Sequence, residues 1–133
     1  SSDLTSLRRM TTKIQLCSAP LAIESQPLPG CGAVVRFDGV VRGHEDGAAI
    51  DGLHYEAYQP MAEQVMERIL RELAAEHPCE QVIEMLGIGF VPSGESAIIV
   101  EIQSKHRSEA FALLTHFMSR LKQDVPIWKR NTA

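Results

Sequence analysis

The residues of this chain best suited to chemistry are cations in unusual company. Arg42 closes an apolar run just before the polar stretch 43–48. Lys105, His106 and Arg107 stand where a helix should begin. Lys122 falls one helical turn beyond Met118 and so shares that helix's apolar side. Lys129 and Arg130 follow Trp128 in a segment opened by Pro126. Cations at a helix start oppose its dipole by about 0.3–1 kcal/mol each, which points to a compensating anion. The free N–H groups of a helix start attract an anion in any case. Taken singly, each cation also has an ordinary reading. Arg42 fits a solvated strand end, Lys122 a side chain snorkelling from the core edge, and Lys129 with Arg130 a basic tail. Glu56, near Tyr55 and Tyr58, is either a strand-surface charge or a partner for a lysine. On spacing alone the chain is an anion-binding domain with two candidate active lysines.

The bulk numbers narrow the class. A length of 133 residues suits one domain, and a hydrophobic share of 44% is enough for a core. A net charge of -4 excludes nucleic-acid binding through bulk electrostatics, because such a surface repels a phosphate backbone. Any anion must meet a local cluster of cations. Cys17, Cys31 and Cys79 are odd in number and lack CxxC spacing, so neither a disulfide framework nor a zinc site is expected. They read as reduced thiols of a cytoplasmic protein. His44, His54, His77 and His116 share no ligand spacing and read as structural or surface residues, with no metal. No apolar run reaches membrane-span length. Residues 1–12 are expected to be a disordered arm or a non-native remnant, leaving one domain over 13–133.

The elements that must position the cations follow from periodicity. Strands are expected over 13–17, 31–42, 50–58, 81–91 and 97–102, the last apolar enough to be central. Residues 21–30, with Pro20 just before them and Pro27 and Pro29 inside, read as a connector. Gly39 inside a strand marks a bulge or a close backbone approach. The loop 43–48 makes 50–58 a returning strand. Pro92, Ser93 and Gly94 form a turn. A helix is predicted over 60–77, with Met61, Val65, Ile69 and Leu73 on its buried stripe and Pro78 stopping it. A second helix is predicted over 106–122, capped by Ser104, with Ala110, Leu114, Met118 and Leu121 inward and Phe111 and Phe117 beside them. Pro126 forces Val125 out of the α region and ends that helix near Gln123. Strands and helices in this order give an α+β fold, a mostly antiparallel sheet with two main helices.

Three stretches add a further reading: GAVVRFDGVVRGHEDGAAIDGLHYEAYQPMAEQ, SKHRSEAF and LKQDVPIWKR, in that order and at natural separations. Together, over roughly 32–130, they resemble the large, catalytic subunit family of molybdopterin synthase. The resemblance implies an α/β hammerhead-like fold and a homodimer within a heterotetramer. It implies a sulfurtransferase that converts cyclic pyranopterin monophosphate to molybdopterin. The sulfur comes from the C-terminal Gly-Gly thiocarboxylate of a ubiquitin-like small subunit, and two rounds build the dithiolene. No metal or other cofactor is implied. By position, Lys122 and Lys129 match the catalytic lysines. Arg42, His106 and Arg107 match substrate-binding positions, with Arg130 grouped beside them, and Phe37 and Met118 match the pocket wall. Two neighbouring, partly desolvated lysines should have lowered pKa values and so offer a neutral amine. The alternative is a weakly active or non-catalytic paralogue that only binds a ubiquitin-like tail.

His106 and Lys122 stand 16 positions apart on one predicted helix, about 24 Å at the helical rise. A pterin phosphate spans roughly half of that, so one copy's His106 and Lys122 should not both touch it. A two-fold dimer that sets one helix start near the other's helix end would unite them twice.

Overall fold

A computed structural model describes residues 10–131. The order of elements is β1 (Thr11–Cys17), β2 (Ala33–Val40), β3 (His44–Glu45), β4 (Ala48–Ala49), β5 (Gly52–Ala57), α1 (Met61–Glu76), β6 (Gln81–Gly87), β7 (Gly89–Pro92), β8 (Ser96–Ser104), α2 (Arg107–Asp124) and β9 (Ile127–Asn131). The main sheet runs β1-β6-β8-β2; only β1 with β6 is parallel within it. A second sheet of three antiparallel strands runs β7-β5-β9, and β3 with β4 forms a small ribbon. The α+β architecture with a mostly antiparallel sheet is therefore as expected.

The expected arm falls mainly on residues 1–9, outside the described residues. Its inner end needs correction: Met10 is buried in the core, and Thr11 and Thr12 pair with Gln81 and Val82. The fold thus begins before residue 13.

The strand β8 is central and buried on both faces, which explains its apolar run. Ile98, Val100 and Ile102 face the helices and join Val82 and Leu86 of β6, Met66, Ile69 and Leu70 of α1, and Leu113 and Phe117 of α2. Glu101 and Gln103 point the other way, where the proline-rich connector covers them. Ser25 donates to Glu101, Leu28 N–H donates to Gln103 Oε1 at 2.8 Å, and Gln103 Nε2 donates to the Gln26 carbonyl at 3.1 Å. Buried polar groups are thereby satisfied by a segment that has no regular structure of its own.

Several expectations shift. The segment 50–58 does not return along β2: β5 pairs with β7 and β9 instead. The run 81–91 is two strands, because Gly89 adopts φ +86° and turns the chain from one sheet to the other. The bulge at Gly39 is present, and a Cβ there would lie 2.7 Å from Ile98 Cγ2. The buried face of α1 is Ala62, Met66, Ile69, Leu70 and Leu73, rotated from the expected stripe so that Met61 is exposed. In α2, Ala110, Leu113 and Phe117 are buried, Leu114, Met118 and Leu121 are half-buried, and Phe111 is exposed. Ser104 is not the cap. His106 holds that position in extended conformation, and Ser104 Oγ donates instead to the His106 carbonyl.

Candidate active site

The path of the chain sorts the candidate residues to two ends of the main sheet. β8 starts at Ser96, beside the end of β2, and finishes at Ser104. α2 then runs back over the sheet to Asp124. Lys105, His106 and Arg107, all exposed, occupy the Ser104 end. Lys122 occupies the other, in the last turn of α2.

At the Lys122 end, α2 stops because Pro126 follows: Val125 is extended, with its N–H on the Leu121 carbonyl at 3.3 Å. The chain re-enters as β9, where Lys129 stands opposite Tyr55 of β5. Directly opposed antiparallel residues share a face. Lys129 therefore projects on the Tyr55 side, where Leu53, Val91, Val41 and Ala97 form a small core. Arg42 follows the buried Val41, so it belongs to the same end. Phe37 and Met118 are half-buried against the main core, on β2 and α2, with Lys122 one turn past Met118. One copy of the chain thus places Arg42, Lys122 and Lys129 towards one end, with Met118 one turn before Lys122 and Phe37 at mid-strand opposite Val100.

Arg130 is not on that side. It alternates to the outer face, where its guanidinium pairs with Glu56 at 3.2 Å; Trp128 Nε1 donates to the other Glu56 oxygen at 2.9 Å. Glu56 therefore serves the two neighbours of Lys129 rather than a lysine. Lys122 and Lys129 are both exposed, so this chain alone does not supply the desolvation expected of them. A shallow cavity of about 200 Å³ between β1, β6 and the connector, lined in part by Lys13, Gln15 and Glu24, contains none of the candidate residues.

At the opposite end, the free N–H groups of α2 are partly answered from within. Glu109 lies in the first turn, and hydrogen bonds from its own backbone N–H and the Ser108 hydroxyl hold its carboxyl below the usual range, with His106 and His77 adding to the effect. An incoming anion there meets side chains more than bare helix dipole. His77 and His116 stack with centroids 5.2 Å apart, a packing role that sequence spacing left open. Cys79 is buried, and burial, with Glu109 and Glu80, pushes its thiol up to about 12; burial also raises Cys31. These thiols are poor nucleophiles. Among the described residues, no three His, Cys, Asp or Glu side chains gather as a metal site, and no helix is long and apolar enough to cross a membrane.

The family model described as MoaE protein matches residues 11–124. The chain belongs to the MoaE protein family. Within that family it is similar to the molybdopterin synthase catalytic subunit of Thermoplasma volcanium, 35% identical over 77% of this chain and 75% of the relative. The human molybdopterin synthase catalytic subunit is 34% identical over 77% of this chain, which spans only 54% of that longer relative. Among solved structures, molybdopterin synthase from Staphylococcus aureus superposes with a TM-score of 0.82 at 30% identity, covering 88% of each chain.

Proposed function

We propose that this chain is the catalytic subunit of a molybdopterin synthase: it moves sulfur from a thiocarboxylated small-subunit tail to cyclic pyranopterin monophosphate. The observation that carries the reading is the grouping of Lys122 and Lys129 with Arg42 at one end of the sheet in a MoaE family member. The substrate is anionic, so Arg42 provides charge-assisted hydrogen bonds to it. The lysines move protons and stabilise the oxyanions that arise as the tail carbonyl is attacked. Each round ends with one sulfur on the pterin and, after water addition, a carboxylate on the tail. His106 and Arg107 hold the phosphate from a second copy of the chain, because β8 and α2 keep them too far from Lys122 within one copy. The nine residues of β8 alone span roughly 30 Å. A neighbouring copy and the small subunit cover the exposed lysines and provide the missing desolvation. The free thiols suit a cytoplasmic setting.

The small subunit docks tail-first, and its terminal glycines pass a narrow entrance because they lack Cβ. The test is turnover with a thiocarboxylated small subunit beside one shortened by its last two residues and likewise thiocarboxylated. The full-length partner supports dithiolene formation and the shortened one does not. Equal activity would refute threading; no activity with the full-length partner would refute the function.

A further inference from the structure

We propose that Glu56 is a positioning residue for Lys129, a role that rests on the sulfur-transfer reading. Lys129 sits on β9, an edge strand near the end of the described chain, held to the sheet by β5 alone. Its side chain is exposed, as are those of Trp128 and Arg130. The register of β9 on β5 decides which face the lysine takes, and a slip of one residue would send it to the opposite face. Glu56 guards that register. One carboxylate oxygen accepts the Trp128 indole N–H at 2.9 Å, and the other pairs with Arg130 at 3.2 Å. A single side chain of β5 therefore grips the residues immediately before and after Lys129, from the face opposite the lysine. Both bonds together fit only one register.

The clamp is half-exposed, so it adds little to global stability. Its effect is local: it suppresses fraying of β9 and keeps Lys129 opposite Tyr55, on the inner face of the sheet. A displacement of about 1 Å at a catalytic group can lower a rate by about 100-fold. Glu56→Ala should therefore lower kcat by about 10- to 100-fold with the melting temperature and the KM for the small subunit unchanged. Glu56→Gln keeps an acceptor for the indole but turns an amide donor toward Arg130, so it should fall between wild type and the alanine variant, whereas a purely electrostatic role would leave it as impaired as the alanine variant.

The experiment compares wild type, Glu56→Ala, Glu56→Gln and Lys129→Ala, by turnover with the thiocarboxylated small subunit and by amide hydrogen exchange. The expected result is faster exchange confined to β9 and β5 in Glu56→Ala, with β6 and β8 protected as in wild type, and the kcat loss above. Unchanged exchange in β9, or unchanged kcat, overturns the proposal. A fully active Lys129→Ala would instead count against the catalytic reading itself, and the exchange data would still decide whether Glu56 holds the strand.

Discussion

Lys129→Ala and Lys122→Ala are each expected to lower dithiolene formation by about 10²–10⁴-fold, the range for loss of a positioned proton-transfer group. The fold should not notice. Both side chains are exposed, and neither change opens a cavity or strands a buried partner. Lys122 helps to complement the dipole at the end of α2, so its removal costs at most about 1 kcal/mol. The two lysines reach one end of the sheet by different routes, one on a helix and one on an edge strand. Their roles are therefore separable: single-turnover assays with each variant, beside thermal melts, distinguish lost chemistry from lost structure. Near-normal turnover in both variants would remove the lysines from the mechanism.

Glu84→Met is expected to stabilise the chain, and to do so more at pH 8.5 than at pH 5. Glu84 lies in β6 on the helix-facing side, between Ile14 of β1 and Val100 of β8. It has no solvent exposure, and neither carboxylate oxygen has a hydrogen-bond partner. Burial pushes its pKa from an ordinary 4.5 up to about 8. Below the ordinary range, folded and unfolded chains both hold the proton, and nothing is lost. As pH rises through that range the unfolded chain releases it while the folded chain retains it, so stability falls until the folded group also ionises near 8. At about 1.4 kcal/mol per unit, the upper limit of the loss is roughly 5 kcal/mol, a large share of a small domain's stability. Methionine fills a similar volume without a charge or an unmet hydrogen bond. Urea unfolding at the two pH values checks this. A Glu84→Met variant no more stable than wild type at pH 8.5 would contradict it.

What could be read from the residues divides along a physical line. Local signals held: Gly39 as a bulge, Pro78 and Pro126 as helix stops, the apolar run of β8 as a central strand. Each rests on sterics or burial that a residue carries with it. Pairing did not follow, because a period of two names the face of a strand and not its neighbour. A returning strand over 50–58 therefore does not reveal that its partners are β7 and β9, and the break at Gly89 is silent: a glycine inside an apolar run has the same spelling whether or not φ turns positive. The buried stripe on α1 runs through Ala62 and Met66, with Val65 at its margin and Met61 outside it. The cap on α2 moved from Ser104 to His106 because Ser104 is still buried in β8. For the site, the cations were visible from their company, but the outward turn of Arg130 and its pairing with Glu56 depend on the register of β9. The solitary Glu84 gave only a glutamate in a strand, with no sign that its partners would all be apolar.

Catalysis is expected to need the lysine end of one copy and the His106 end of another. Mixing Lys122→Ala chains with His106→Ala chains, after each is shown to be inactive alone and able to exchange subunits, tests it most directly. Every mixed dimer would hold one site with both groups intact and one with neither. Equal random mixing makes half of the dimers mixed, so the account predicts recovery to about a quarter of wild-type turnover. No recovery despite proven exchange would contradict it.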